Sequence, residues 1–185
     1  EGFANLVKLA ELLAIPVVES APIYSNFPKS HPLHLGFNPG PYLNQADMVL
    51  IVGSRAPWYP PNAGPANATV IAMGESPLKG QMAYQNLLAD LYVEGDLTIA
   101  LELLVEALKS NGAGGEGKIN DRRARWEAEH NKLQESYRDA EKAAESKQPI
   151  DPVWLCAALS EVMPEDTIYV EETTSHRTAI TRHVN

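Results

Sequence analysis

The fold follows from one stretch of sequence, Asp47-Met48-Val49-Leu50-Ile51-Val52-Gly53. Its five apolar residues are continuous rather than alternating with polar ones, which is typical of a strand covered on both faces. The run ends on a glycine, and it follows a turn that carries two histidines, Ser30-His31-Pro32-Leu33-His34-Leu35-Gly36. Together the two segments predict a parallel sheet with a site at its edge.

Further apolar segments alternate with helical patterns along residues 1–110. Apolar residues at helix spacing predict a helix over 3–14, and Asp96 is the expected N-cap of a helix that runs to Lys109. Short apolar runs predict strands over 15–18, 69–73 and 89–93. Strands that alternate with helices imply crossover connections. The predicted fold class is therefore α/β, a parallel sheet flanked by helices on both faces.

Composition divides the chain into three predicted parts. Residues 1–110 form the α/β domain. Residues 111–149 hold a glycine-rich linker and a charged connector helix over 121–147, on which Trp126, Leu133 and Tyr137 mark the contact stripe. Residues 150–185 form an incomplete α/β segment at the C-terminus.

The last part begins with a helix signal, in which Asp151 is the cap and Pro152 the first helical residue. Leu155, Cys156 and Leu159 are expected to face its core. A strand over 167–170, a turn over 171–176 and a helix over 178–184 are predicted to follow. A segment of about 35 residues is too short to bury a core of its own. We therefore expect the chain to be a fragment of a longer protein.

Charge and composition exclude several classes of function. The chain has 24 acidic and 15 basic residues and a net charge of -9, which repels phosphate backbones, so nucleic acid is not an expected partner. No apolar run reaches the roughly 20 residues that a membrane span needs, so no membrane association is expected. The single cysteine, Cys156, can form no internal disulfide, in agreement with a cytoplasmic location.

The order of these motifs resembles the central domain of thiamine-diphosphate-dependent enzymes, whose sheet is of the DHS-like NAD/FAD-binding type. The strand Gln45-Ala46-Asp47-Met48-Val49-Leu50-Ile51-Val52-Gly53-Ser54-Arg55 is similar to a strand of that family and its closing Gly-x-Arg. Residues 69–77 are similar to the next strand, with Gly74-Glu75-Ser76-Pro77 where the family has Asp-x-Asp-Pro. The resemblance implies that residues 1–110 are the central domain without its first strand. Residues 150–185 resemble the start of the family's pyrophosphate-binding domain.

Within the family, two motifs are most similar to benzoylformate decarboxylase: the loop Phe27-Pro28-Lys29-Ser30-His31-Pro32 and the turn Glu172-Thr173-Thr174-Ser175. The resemblance implies that His31 faces the active site and transfers protons there. It also implies that Thr174 and Ser175 lie against the cofactor and its diphosphate. A histidine can deliver a proton at cellular pH, and hydroxyl groups in such a turn can donate to phosphate oxygens.

The resemblance also implies the cofactors and partners of the parent enzyme. These are thiamine diphosphate, Mg²⁺, a 2-oxo acid substrate for decarboxylation or carboligation, and a homo-oligomer of two or four subunits. The family's activating glutamate lies in a separate domain. Gly95-Asp96-Leu97 lacks the second glycine of the family's magnesium motif and is interpreted as a helix cap. The fragment is therefore expected to be inactive alone, with no metal site and no tightly bound cofactor.

Two alternatives remain open at this point. His176 departs from benzoylformate decarboxylase, which has threonine there, whereas acetolactate-synthase-like members carry a histidine near this turn. The chain would then resemble a member whose central domain holds FAD or a nucleotide, although no Gly-x-Gly-x-x-Gly follows any strand. In the other alternative the domain is purely architectural. His31 is then an ordinary loop histidine, Thr174 and Ser175 cap a helix, and Cys156 is inert core in either case.

Overall fold

The computed structural model describes residues 1–78, 88–113 and 116–184. The chain divides into two compact units, Glu1–Glu127 and Ala128–Asn185. The first unit contains α1 (Gly2–Leu13), α2 (Gly40–Leu43), β1 (Met48–Val52), a 3-10 turn (Pro61–Ala63), β2 (Thr69–Gly74), β3 (Leu91–Glu94) and α3 (Leu97–Ser110). Helix α4 (Glu116–Ala144) crosses the boundary, and α5 (Pro152–Val162) and α6 (Arg177–His183) belong to the second unit.

A parallel sheet lies at the centre of the first unit, in the order β1-β2-β3. Met48 lies opposite Thr69, and Ile71 lies opposite Leu91. The strands predicted over 69–73 and 89–93 are β2 and β3, and the apolar run between Asp47 and Gly53 is β1. The predicted fold class, a parallel sheet flanked by helices, is confirmed.

The two faces of the sheet pack differently. On one face, Leu50 and Val52 of β1 contact the core formed by Leu9 of α1 and Leu101 and Val105 of α3. On the other face, a cluster of strand residues is covered by side chains that include Trp58, from the proline-rich loop after β1; the buried strand residues are Ile51, Val70 and Ala72. In the described part of the first unit helices therefore cover one face, not both as predicted. The connection between β2 and β3 includes residues 79–87, which are not described.

The strand predicted over 15–18 is wrong. The segment makes one isolated parallel bridge, Val17 with His34, and not a strand of the sheet. Val17 donates its N–H to Leu33 O at 2.8 Å and accepts at its carbonyl from the N–H of Leu35 at 2.8 Å. Pro16 has no N–H to extend the ladder. The bridge instead ties the segment to the loop that carries His31.

The first part of α4 packs with the first unit. Trp126 lies in a core with four other buried residues: Ala10, Phe27, Leu33 and Leu35. The guanidinium of Arg122 donates to Leu13 O at 3.0 Å, and that of Arg123 donates to Glu11 O, so both arginines satisfy carbonyls at the end of α1. The charged connector is a helix, as predicted, but it begins at Glu116 rather than at 121.

The second unit contains the rest of α4 with α5 and α6. The carboxylate of Asp151 accepts the N–H of Val153 at 2.9 Å, which confirms the predicted cap of α5. Cys156 is buried in a core with Ala179 and Val184, and burial raises the pKa of its thiol. The helix predicted over 178–184 is α6.

Two predictions for the second unit are wrong. Leu155 and Leu159 are 50% and 37% exposed, so of the three residues expected in the core only Cys156 is buried. Residues 167–170 form no strand, and Ile168 and Val170 are 86% and 93% exposed. A strand needs a neighbour to satisfy its backbone groups, and the described part of this unit contains none.

No helix within the described residues is long and apolar enough to cross a membrane.

Candidate functional site

A shallow pocket of about 100 Å³ lies at the carboxyl ends of β1 and β2. In parallel sheets this is the edge at which ligands usually bind. Gly53 follows β1 with φ +62°, a conformation that glycine adopts without strain, and a Cβ there would lie 2.8 Å from Cδ1 of Leu97. The other residues of the rim are Ser54, Gly74, Glu75, Ser76 and Pro77.

The loop that carries His31 holds the ring through both of its nitrogens. Nδ1 accepts the backbone N–H of Leu33 at 3.1 Å, and Nε2 lies 3.5 Å from Oε1 of Glu11 on α1. The ring also meets the edge of Phe27, with 4.9 Å between the ring centroids. The side chain of His31 is 15% exposed, whereas that of Glu11 is 54% exposed. The His31 ring is therefore hydrogen-bonded to its own turn at Nδ1 and makes a longer contact at Nε2.

His34 is a second histidine with a different environment. Its Nε2 lies 3.1 Å from Oε2 of Glu19, and the two side chains are 2% and 5% exposed. The other oxygen of Glu19 accepts the backbone N–H of Asn26 at 2.9 Å and the side-chain amide of Asn26 at 3.2 Å. Glu19 therefore ties together three parts of the loop between the bridge at Val17 and the start of α2.

The charge of Glu19 also acts on Lys29. Burial lowers the pKa of its ammonium group, and the charge of Glu19 opposes that effect. No role was predicted from the sequence for Glu19, His34 or Lys29. The pairing of Glu19 with His34 joins residues 15 positions apart in an irregular loop, and no periodic pattern marks such a contact.

The turn before α6 is fixed by Glu171. One oxygen of its carboxylate accepts the backbone N–H of Thr173 at 2.8 Å and the hydroxyl of Thr173 at 2.7 Å. The other oxygen lies 3.3 Å from Nε of Arg177. These hydrogen bonds from Thr173, and then the charge of Arg177, lower the pKa of Glu171. Glu171 therefore holds the turn over 171–176 together and joins it to Arg177, the first residue of α6.

Thr174 and Ser175 lie at the exposed tip of this turn. The N-cap of α6 is His176, so neither Thr174 nor Ser175 is the capping residue that the alternative interpretation required. The structure places His31 in the first unit and both hydroxyl residues in the second. That they act at one site stays a prediction.

Helix α6 is joined to α4 by a hydrogen bond between side chains at its other end. Nδ1 of His183 lies 2.6 Å from Oε1 of Glu141, and the His183 side chain is 4% exposed. Tyr137, one turn before Glu141, meets the His183 ring edge-on at 5.5 Å, and the guanidinium of Arg182 lies 5.7 Å from the centroid of the same tyrosine ring. Tyr137 is thus a contact residue, as its place on the predicted stripe indicated.

Gly95-Asp96-Leu97 lies at the start of α3. Asp96 Oδ1 accepts the N–H of Ile99 at 3.0 Å and caps α3, which confirms its interpretation as a helix cap. Within residues 1–78, 88–113 and 116–184, no group of three or more His, Cys, Asp or Glu side chains is arranged to hold a metal ion.

Comparison with known proteins supports the resemblance at the level of the family. No protein-family profile matches the chain. The chain is similar to acetolactate synthase of Mycobacterium avium, with 27% identity over 178 residues, which cover 92% of this chain and 28% of the relative. The chain thus spans 28% of the length of the curated relative it matches. The similarity points to the thiamine-diphosphate-dependent enzymes and does not single out benzoylformate decarboxylase.

Proposed function

We propose that the chain is part of a thiamine-diphosphate-dependent enzyme that acts on a 2-oxo acid by decarboxylation or carboligation. The observation that carries this proposal is the extent of the similarity, 92% of the chain in one alignment. The aligned part is so large that it must include residues of both units. The parallel sheet of the first unit is compatible with the family's central domain. On this proposal residues 150–185 begin the pyrophosphate-binding domain.

The turn over 171–177 fits a role in holding the diphosphate. Glu171 fixes the backbone of the turn, and the hydroxyls of Thr174 and Ser175 are exposed at its tip. Both hydroxyls could donate to phosphate oxygens, and Mg²⁺ would bind with the diphosphate through residues from outside this chain. When bound, thiamine diphosphate supplies the carbon nucleophile that adds to the keto group of the substrate. Replacing Ser175 with Ala should weaken cofactor binding by the longer enzyme, and unchanged affinity would remove Ser175 from the site.

His31 is proposed to move a proton at Nε2, because Nδ1 accepts the N–H of Leu33, whereas Nε2 lies 3.5 Å from the exposed carboxylate of Glu11. His31→Asn separates this role from a structural one. The asparagine oxygen can still accept the N–H of Leu33, but the side chain no longer titrates. We expect both His31→Asn and His31→Ala to lower turnover in the longer enzyme while cofactor affinity stays near normal. Normal turnover of His31→Asn would leave the histidine with a purely structural role.

The subfamily is the second open point. The loop and turn motifs favour a benzoylformate-decarboxylase-like enzyme, while the name of the relative and the presence of His176 favour an acetolactate-synthase-like one. Assays for benzoylformate decarboxylation and for acetolactate formation by the longer protein distinguish the two. FAD in the first unit belongs to the second possibility. Its support is the pocket at the sheet edge, but about 100 Å³ is below the roughly 300 Å³ at which ligand pockets begin. A yellow purified protein would establish the flavin.

The chain alone is proposed to be inactive, and the parent enzyme to be a cytoplasmic homo-oligomer of two or four subunits. The proposed inactivity rests on the family's use of a glutamate from a separate domain to activate the cofactor. Titration of the 185-residue chain with thiamine diphosphate and Mg²⁺ should show no tight binding. Tight binding would contradict the proposal that neighbouring domains complete the site.

A further inference from the structure

The Glu141–His183 pair has the geometry of a strong contact. The distance of 2.6 Å from Nδ1 to Oε1 is that of a charge-assisted hydrogen bond, and it joins α4 to α6 across 42 positions of sequence. The pair is sheltered, because the His183 side chain is 4% exposed and that of Glu141 is 26% exposed. Tyr137 and Arg182 extend the contact through ring and cation–π interactions.

The position of the pair determines what it can control. Helix α6 has seven residues and follows directly on the turn over 171–176. Glu171 fixes the shape of that turn but none of its bonds reaches α4. The orientation of the turn on the second unit therefore depends on how α6 is held. Ala179 packs against the core near Cys156, and His183 makes the polar contact with α4.

We propose that Glu141 is a positioning residue that, through His183, orients the turn carrying Thr174 and Ser175. The connector helix would in this way set the place of the cofactor's diphosphate without touching it. The inference rests on the proposed function for what the turn binds. That Glu141 holds α6 is a statement about this chain alone, and the two can be tested separately.

The first experiment measures amide hydrogen exchange in the 185-residue chain. Removing a charge-assisted hydrogen bond should reduce protection by roughly tenfold, and in Glu141→Ala we expect that loss at the amides of α6, including Val184. Glu141→Gln keeps an acceptor for Nδ1–H without the charge, so an intermediate loss is expected, and it gives a usable reading if Glu141→Ala fails to fold. The exposed Glu145, the first residue after α4, provides the control: Glu145→Gln should leave protection unchanged. Unchanged protection in both Glu141 variants would overturn the inference.

The second experiment measures the affinity of the longer enzyme for thiamine diphosphate and its KM for the substrate. We expect Glu141→Ala to weaken cofactor affinity about tenfold with little change in the substrate KM, Glu141→Gln to restore part of the affinity, and Glu145→Gln to have no effect. Ser175→Ala serves as the reference. If Ser175→Ala weakens binding and Glu141→Ala does not, the positioning role is wrong. If Ser175→Ala also has no effect, it is the proposed diphosphate site that fails.

Discussion

The two loop histidines, His31 and His34, differ in how deeply they and their partners are buried. His34 and Glu19 have side chains that are 2% and 5% exposed, and removing one partner of a buried hydrogen bond leaves the other unsatisfied, which typically costs about 1–3 kcal/mol. Their pairing is therefore part of what holds the loop. His31 faces Glu11 across 3.5 Å, and that carboxylate is 54% exposed, so solvent screens the interaction and its strength is small. The His31 ring is thus the more exposed and the more weakly held of the two at Nε2, in agreement with the proton-transfer role proposed for it.

Gly64 lies in the proline-rich loop at a position with no room for a side chain. A Cβ at this position would lie 2.8 Å from Cε2 and Nε1 of Trp58, inside van der Waals contact. Trp58 packs against one face of the sheet and cannot move away without opening that core. We expect Gly64→Ala to lower the free energy of unfolding by about 1–3 kcal/mol, as overpacking does. Urea unfolding followed by tryptophan fluorescence measures the change.

Gly95 provides the control for this substitution. A Cβ there meets nothing within 4 Å, so Gly95→Ala should leave the unfolding midpoint close to that of the unchanged chain. Equal midpoints for all three proteins would show that Trp58 does not pack where the structure places it.

At the residue scale, the sequence predicted single positions well where the cause is local. Asp96 and Asp151 cap helices because the bonded N–H groups lie two or three residues away. Glu19 and Glu141 could not be found in this way. Their histidines lie 15 and 42 positions distant, and only the folded chain brings them together.

At the scale of elements, the predicted start of α5 is correct, but the prediction of which side the helix buries is wrong. Its cap and proline are local signals, whereas the side that it buries depends on which element packs against it. In the second unit α6 contacts Cys156, and Leu155 and Leu159 remain exposed. Residues 167–170 show the same limit, because an apolar run becomes a strand only beside another strand.

The start of α5 should depend on pH through Asp151. The hydrogen bond from the Lys147 side chain, and then the bond from the N–H of Val153, lower the pKa of Asp151 from its ordinary value of 3.8. A carboxyl with a lowered pKa in the folded state contributes stability above the ordinary pKa. That contribution is lost as the pH falls through the folded value. The melting temperature of the helices in the second unit, followed by circular dichroism, should therefore fall as the solution is made more acidic than about pH 4.

Asp151→Asn isolates this effect. Its side-chain oxygen can still accept the N–H of Val153, but the group no longer titrates, so the acid dependence of the melting temperature should become shallower. Asp166→Asn, at an exposed position beyond the end of α5, should retain the dependence of the unchanged chain. An identical acid dependence in Asp151→Asn and the unchanged chain would mean that the cap contributes nothing through its charge.

At the scale of the whole molecule, hydrophobic patterning determined the parallel sheet but not where the first unit ends. The apolar runs of β1 and β2 are long enough to be read directly from the sequence. Trp126 is an isolated large residue in a charged helix, and its burial at 8% exposure depends on the loop core of Phe27, Leu33 and Leu35. A boundary set by composition at residue 110 therefore excludes a part of α4 that packs with the first unit.

The extent of the first unit leads to a prediction about two shortened chains. A chain that ends at Glu127 keeps Trp126 and the two arginines that donate to Glu11 O and Leu13 O, whereas one that ends at Ser110 loses all three. Removal of a buried tryptophan side chain typically costs about 3–5 kcal/mol, so the free energy of unfolding in urea should be lower for the shorter chain by at least that amount. Introducing Trp126→Ala into the longer chain should reproduce most of the loss. Equal stability of the two chains would mean that α4 contributes nothing to the first unit, and that the domain ends where the composition changes.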